Sequence, residues 1–286
     1  MTHVHELNRL SWNSATLAHN SHKGDQAELF RNGHCTLFPE EKELLGHVSG
    51  RSLLHLQCNS GQDTLSLARL GAKVTGVDIS DEAISFAQTL SANSNIPATF
   101  IRDDILHWMS EAAKRGVKFD RVFTSYGTIV WIADLKAWAR GIASLLATGP
   151  DSRFVIVDFH PFALYFDQQW KPTYDYFNRD AIEESGVGDY VADSGDGLGS
   201  VHSGVVDFVN PHKSYEHFHG LGDIINALAS AGLVIECVNE YPYSNGWKGF
   251  DGMVDIGGKR MVPPSNIPKI PLMYGISARH PSSSSS

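Results

Sequence analysis

Apolar positions along this chain follow two alternating rhythms. Compact runs at Leu53 to Cys58, Lys73 to Ile79, 98–101, 120–125 and 153–159 are short, rich in aliphatic and β-branched residues and bounded by turn formers, which reads as buried strands. Between them, 62–71, 81–93, 105–115 and 132–147 place apolar residues three or four apart, as with Leu65 and Ala68, which reads as helices laid on those strands. Ser80 followed by Asp81 and Glu82 makes a helix start, an N-cap oxygen with two negative charges at the positive end of the dipole. Such alternation predicts an α/β fold with a doubly wound, mostly parallel sheet.

After Phe159 the alternation stops for about sixty residues, then resumes with a helix at Leu221 to Ala231 and strands at Val234 to Tyr241 and Leu272 to Ala278. Seven strands result, with an insertion after the fifth. Residues 1–50 read as a helical lid, containing a loop from His34 to Pro39 and a short helix from Glu40 to His47. With 286 residues, 42% of them hydrophobic, the chain can bury one full core. The expected organisation is a single domain over 1–280: lid 1–50, cofactor-binding half 51–160, substrate-covering insertion 161–219, C-terminal helix and strand pair 220–280. The tail 281–286, mostly serine, is expected to be disordered.

The stretch from Ser52 to Ser80 carries the chemistry. A strand, a small-residue turn, a helix and a second strand closed by Asp78 form the layout of a nucleoside-binding βαβ unit, in which the acid meets ribose hydroxyls. Asp78 follows Gly61 by 17 residues, close to the ~20 expected of that pairing. A dinucleotide fingerprint needs G-x-G-x-x-G so that backbone amides close on a pyrophosphate. Here Gln57 and Asn59 stand at the first two glycine positions and only Gly61 remains. Asn59 tolerates a left-handed backbone, whereas Gln57 sits poorly against a diphosphate. The turn suits a nucleoside cofactor without phosphates, of which S-adenosylmethionine is the commonest, with a dinucleotide as the alternative.

This segment resembles motif I of the class I S-adenosylmethionine-dependent methyltransferases, usually D/E-x-G-x-G-x-G, and in particular a bacterial-type subgroup whose version begins HLQC, as in Leu54-His55-Leu56-Gln57-Cys58. The resemblance extends to NRLSWNSATLAH (Asn8 to His19), to Phe119–Ala139 and Phe154–Ala163, to the block from His219 to Tyr243, and to IPLMYGISA (Ile270 to Ala278). It implies a Rossmann-like seven-stranded sheet whose last two strands form a hairpin, adding an antiparallel strand. It implies S-adenosyl-L-methionine as methyl donor, with S-adenosyl-L-homocysteine as product. It also places Asp104 at the adenine amino group with Ile105 against the ring, and Trp12 and His19 in a lid closing over the cofactor. His55 stands where most such enzymes carry an acid near the methionine amino group, a contact that backbone carbonyls around Leu56 and Gln57 would replace. Ile79 and Ser125 complete the expected cofactor set with Gln57, Asn59, Gly61 and Asp78.

Charge and composition narrow the partners. Net charge is −9 with no basic stripe, so a nucleic-acid backbone would be repelled. The apolar runs are strand-length, which excludes a helical membrane span among them. The start MTHVHELNRL lacks a signal-peptide pattern, and Cys35, Cys58 and Cys237 are unpatterned, so a reducing cytoplasm is the expected location. Between His160 and Gly220 ten acids face three bases, alongside Phe162, Tyr165, Phe166, Trp170, Tyr174, Tyr176, Phe177 and Tyr190. Over the carboxyl ends of the strands this would form an acid-rimmed, partly apolar pocket suited to a neutral or cationic acceptor, although charge runs of this kind are also how solvated faces look.

Candidate catalytic groups follow the strand ends: His160 after the fifth strand, His219 at the start of the penultimate helix, where the resembled subgroup carries a histidine, and Tyr126 after the fourth strand. Imidazole has the pKa suited to a general base, and both histidines are expected to face one pocket roofed by 162–218. Trp131, Leu135 and Trp138 have the spacing of core residues. Glu216-His217-Phe218-His219 lacks a third ligand, so no metal is expected. The resulting expectation is a methyltransferase acting on a heteroatom of a small molecule, nitrogen favoured over oxygen or sulfur, without nucleic-acid or membrane partners, as a monomer or homodimer. A nicotinamide-dependent oxidoreductase and a non-catalytic cofactor-binding subunit remain the alternatives.

Overall fold

The computed structural model describes residues 3–198 and 202–281; the expected disordered tail lies outside the described residues from position 282 onward. In chain order the elements are α1 (His3–Ser21), α2 (Gln26–Arg31), α3 (Pro39–Leu45), β1 (Ser52–Leu56), α4 (Gln62–Arg69), β2 (Lys73–Asp78), α5 (Asp81–Ser94), β3 (Thr99–Arg102), α6 (Ile105–Lys114), β4 (Arg121–Ser125), α7 (Leu135–Leu145), β5 (Arg153–Phe159), β6 (Ala181–Glu184), α8 (Tyr190–Ser194), β7 (Ser214–His217), α9 (Leu221–Ser230), β8 (Val234–Tyr241), β9 (Ser244–Asn245), β10 (Val254–Asp255), β11 (Arg260–Val262) and β12 (Met273–Arg279).

Seven strands form one sheet in the order β3-β2-β1-β4-β5-β12-β8. β1 to β5 run parallel, with Leu54 in register with Thr75 and with Val122. β12 is antiparallel to both β5 and β8, pairing Ile276 with Ile156 and with Val238. The order reverses between β1 and β4, which opens a crevice at the carboxyl ends of these strands. Successive side chains alternate between faces. Leu54, Leu56, Val122, Phe154 and Ile156 meet Trp108, Met109, Trp138, Ile142 and Leu228 from α6, α7 and α9. Leu53, Phe123, Val155 and Val157 meet Leu44, Leu45 and Leu67 from α3 and α4. Phe30 of α2 packs with Leu65, Ile84, Leu90 and Phe100 near the β3 edge.

Three departures from the sequence reading have local causes. The last two strands pair as expected but are not joined by a tight hairpin. Residues 242–272 intervene and carry β9, β10 and β11 as a small antiparallel sheet, whose Phe250, Met253 and Met261 cluster with Trp170 and Leu272. The insertion holds a second ribbon, β6 against β7. The helix expected from 132 begins at Leu135, because Asp134 caps it by accepting from Ala137 N at 2.9 Å. Trp131 therefore sits in a preceding single turn, Ile129–Trp131, and packs, partly buried, against the core that holds Leu135 and Trp138.

Two positions tie sequence to stability. Gly61 has φ +79°, and a Cβ there would lie 2.7 Å from both the Ala87 methyl and the Phe100 ring. Gly61→Ala is expected to lose ~1–3 kcal/mol or more in urea unfolding, since overpacking and left-handed strain act together. His55 on β1 is buried between Phe123 and Thr64, with Nδ1 2.8 Å from Thr64 Oγ1, and burial pushes its imidazole down to about 3. The unfolded chain protonates this group near pH 6.5 while the folded chain resists, so its contribution is intact above that pH and is lost as pH falls toward 3. His55→Gln is expected to flatten the acid-side loss of stability by about 1.4 kcal/mol per pH unit between about pH 4 and 6; parallel pH profiles for the two proteins would exclude this.

Candidate functional site

The turn after β1 is left-handed at three alternate positions, Gln57 (φ 53°), Asn59 (φ 46°) and Gly61 (φ 79°). The glycine pattern is thus kept as backbone conformation even where the glycines are gone. Local hydrogen bonds hold it there: Asn59 Oδ1 accepts from Ser60 N at 2.6 Å, and Gln57 Nε2 donates to Thr128 O at 2.9 Å. The four amides of the turn itself, Cys58 to Gly61, already have acceptors. Cys58 N donates to Val77 O (3.1 Å), Asn59 N to Asp78 Oδ2 (2.8 Å), Ser60 N to Asn59 Oδ1, and Gly61 N to Cys58 O (3.0 Å).

Asp78 ends β2 buried, its Oδ2 held by Asn59 N and its Oδ1 by Ser80 N at 2.9 Å. Burial raises its carboxyl above the usual range. Around it lies a cleft of about 110 Å³ lined by Gln57, Asn59, Asp78, Ile79, Asp104, Ile105 and Ser125, with Tyr126 at its edge. No lysine or arginine lines it. Asp104 caps α6 through Oδ1, which accepts from Leu106 N at 2.9 Å, while Oδ2 meets His5 Nδ1. Burial opposes ionisation of Asp104, but His5 and the helix amides hold its carboxyl below the usual range. The buried Gln57 Oε1 and Ser125 Oγ have no hydrogen-bond partner among the described residues, which leaves the cleft fitted to a polar ligand.

The lid enters through α1. His5, Asn8 and Trp12 all line the cleft, at spacings of three and four that put them on one helix face. This periodicity was the available signal for His5 and Asn8, which sequence reasoning missed. His19 lies two turns further along, on the larger cavity that adjoins the cleft; its ring is 4.2 Å from that of Tyr190 and its Nε2 2.9 Å from Gly188 O. Burial pushes His19 down to about 4. Beside it His22 Nε2 contacts Asp189 Oδ2 at 2.9 Å, Ser11 Oγ accepts from Val187 N at 2.9 Å, and Asn8 bonds the Tyr215 backbone in both directions. Lid and insertion are thereby clasped together.

Through Trp12, Gln57, Asn59, Ser125, Tyr126, Trp131 and Tyr190 the cleft is continuous with a cavity of about 1120 Å³. Phe38, Phe159 and Trp247 supply apolar walls, and Leu164, Glu184, Val187, Val191 and Glu216 come from the insertion. Most of the insertion's aromatics pack on one another or on Phe250; of those expected to line the pocket, Tyr190 does so. Asp158 also borders the cavity, but its carboxylate is consumed by the amides of Gly127, Thr128, Ile129 and Phe159. Tyr126 OH accepts from Asn245 Nδ2 at 3.0 Å, and burial raises its phenol well above the usual range. Asn245 is fixed in turn by Glu40, which also accepts from Tyr243 OH (2.8 Å) and Arg260 Nη2 (2.5 Å).

The two histidines expected in one pocket are not brought together: neither lines the cleft or the cavity. Asp158 and Phe159 border the cavity, whereas His160, just past the end of β5, accepts at Nδ1 from Phe162 N at 3.0 Å and has Nε2 3.0 Å from Glu240 Oε1. His219, just before α9, places Nε2 2.6 Å from Ile132 O. Gly61 also lies outside both linings and acts through its backbone. Among the described residues no group of three or more His, Cys, Asp or Glu side chains is placed to hold a metal.

Comparison with known proteins agrees with this geometry. Residues 53–149 match a methyltransferase domain. The ubiquinone biosynthesis O-methyltransferase of Proteus mirabilis is 31% identical over 100 residues, 35% of this chain and 39% of that protein; its counterpart from Escherichia fergusonii is 29% identical over 112 residues, 39% and 45%. The chain thus spans less than half the length of these relatives. Among solved structures, an S-adenosylmethionine-dependent methyltransferase from Mesorhizobium loti superposes with a TM-score of 0.56 at 18% identity, covering 87% of this chain and 100% of that one. The geranyl diphosphate C-methyltransferase of Streptomyces coelicolor A3(2), solved with S-adenosyl-L-homocysteine, gives 0.52 at 12% identity over 98% of both chains. Residues 53–149 are thus similar to a methyltransferase domain, and the chain shares the Rossmann-like fold of these S-adenosylmethionine-dependent methyltransferases.

Proposed function

We propose that this chain is a methyltransferase that binds S-adenosyl-L-methionine in the cleft beside Asp78 and methylates a heteroatom of a small molecule held in the adjoining cavity. It falls by this reading in the subgroup whose motif I begins HLQC, acting in the cytoplasm as one domain over 1–280, monomeric or homodimeric, without nucleic-acid or membrane partners. The observation that carries it is the pairing of a ribose-ready carboxylate with a turn whose amides are already spent. A nicotinamide dinucleotide needs turn amides and positive charge for its pyrophosphate; the amides of Cys58 to Gly61 are already bonded, and no lysine or arginine among the described residues lines the cleft.

Asp78 would accept the ribose hydroxyls, Ile79 and Ile105 would flank the base, and Asp104 would meet the adenine amino group. Gln57 Oε1 and Ser125 Oγ would satisfy polar atoms toward the methionine end, with Trp12 covering the ligand. When bound, the cofactor supplies an electrophilic methyl group on a sulfonium. The chain's contribution is to align the acceptor and exclude water from it. Nitrogen as the acceptor atom is favoured by Trp12, Trp131 and the cavity carboxylates Glu184 and Glu216, since aromatic faces and acids both favour cations. The names of the O-methyltransferase relatives favour oxygen instead. A non-catalytic cofactor-binding subunit would bind S-adenosylhomocysteine without turnover when labelled cofactor is supplied with a metabolite extract.

Asp78→Ala is expected to weaken S-adenosylhomocysteine binding by ~1.5–3 kcal/mol, the range for hydrogen bonds to a charged group, while NAD(H) binds neither protein. Calorimetry with both ligands decides this, and an unchanged S-adenosylhomocysteine affinity would remove Asp78 from the site. Because α1 supplies one wall of the cleft, amides of residues 3–30 are expected to exchange hydrogen more slowly with S-adenosylhomocysteine bound; equal exchange in the two states would refute a cofactor-coupled lid.

A further inference from the structure

The reading of the site as a methyl-transfer site leaves open what receives the acceptor's proton, and the inference made here rests on that reading. On the β6–β7 ribbon, Glu183 turns outward to Lys213 and Tyr215, whereas Glu184 and Glu216 turn into the cavity. Glu184 is in register with Ser214 and Glu216 with Ile182, so the two inward acids are diagonal neighbours on one face. β7 packs against α1 and against the turn carrying Trp131. Asn8, itself a cleft residue, grips Tyr215 N and O at 2.7 and 2.9 Å. Glu216 is therefore placed by the same helix that covers the cofactor cleft, beside the Trp12–Trp131 seam where cleft and cavity join.

The Glu216 carboxylate has no hydrogen-bond or ion-pair partner among the described residues; the titratable groups around it are Glu184 and Tyr174. Independent features of the same cavity point to a ligand with donors. Asn245 is 1% exposed, and because its Nδ2 is committed to Glu40 and Tyr126, its buried Oδ1 is left as an unpaired acceptor. His55, 2% exposed, likewise leaves Nε2 unpaired on the cavity wall. Buried polar atoms of this kind are normally satisfied, and Asn245 Oδ1 can be satisfied only by a donor.

We propose that Glu216 is the proton acceptor of the reaction and that the cavity takes a largely apolar small molecule bearing the O–H or N–H group that becomes methylated. Glu216 takes the proton from the acceptor heteroatom as that atom's bond to the methyl carbon forms and the methyl–sulfur bond breaks, its electron pair returning to sulfur. A sulfonium cation and a carboxylate thus become a neutral thioether and a carboxylic acid, which then gives its proton to water. Burial, with Glu184 alongside, pushes the Glu216 carboxyl up to about 7, where a general base works best at neutral pH.

The test compares wild type, Glu216→Gln and Glu216→Asp, first for S-adenosylhomocysteine affinity and thermal stability, then for transfer of labelled methyl from S-adenosylmethionine into a soluble metabolite extract. Expected are unchanged S-adenosylhomocysteine affinity, a loss of transfer of ~10²–10⁴-fold in Glu216→Gln, partial recovery in Glu216→Asp, and a wild-type rate that rises with pH through about 7 and loses this dependence in Glu216→Gln. Full transfer by a folded Glu216→Gln variant overturns the proposal and leaves the cofactor reading standing. Wild-type binding of S-adenosylhomocysteine without transfer to any component overturns it as well. Failure of wild type to bind S-adenosylhomocysteine overturns the cofactor reading itself.

Discussion

The Asp78 carboxylate holds the site together. One oxygen receives Asn59 N from the turn after β1 and the other receives Ser80 N from the turn after β2, so a single buried acid fixes the mouths of two adjacent strands relative to one another. An unpaired buried carboxylate is costly, and these charge-assisted bonds offset that cost while leaving lone pairs toward the cleft. Around this point the backbone forgoes glycine at two of three positions. Gln57 and Asn59 accept a left-handed conformation because the Gln57 side chain donates to Thr128 O and the Asn59 Oδ1 accepts from Ser60 N. The amides of Cys58 to Gly61 are all bonded within the protein, so at the turn itself a ligand meets side chains instead of free N–H groups.

The rest of the site is layered on that anchor. Loops after β1, β4 and β5 form the floor, the 34–39 loop and Asn245 one wall, and the insertion the roof. Two buried carboxylates near the floor serve structure. Asp158 is used up by the loop after β4, and Glu40 ties α3 to the small sheet between β8 and β12. Carboxylates left without partners are found higher up, on the ribbon. Buried charge is thus distributed unevenly: satisfied where rigidity is needed and open where a ligand is to be met.

How much of this was legible depended on how far each feature rested on periodicity. The seven sheet strands and the helices between them were readable because apolar runs of strand length alternate with helical spacing, and Ser80 marks a helix start that the structure repeats. Asp78 was readable from its distance to Gly61. The errors arose where a one-residue phase decides a direction. His160 follows the strand that was recognised, yet the chain turns at that residue, leaving Phe159 on the cavity and His160 beside Glu240. Trp131 has helical spacing to Leu135 and Trp138, but Asp134 starts the helix after it. Strands of two and three residues such as β9 and β10 are too short to show any period, and the inward turn of Glu216 depends on a ribbon register that the local pattern does not specify.

The clasp between lid and insertion has a kinetic meaning. His22 with Asp189, Ser11 with Val187 and Asn8 with Tyr215 join the wall of one compartment to the ceiling of the other. The cleft and the cavity therefore share one cover, and displacing α1 far enough to open one also loosens the enclosure of the other. On the proposed reading of these two spaces, exchange of the spent cofactor and of the methylated product is coupled through these contacts.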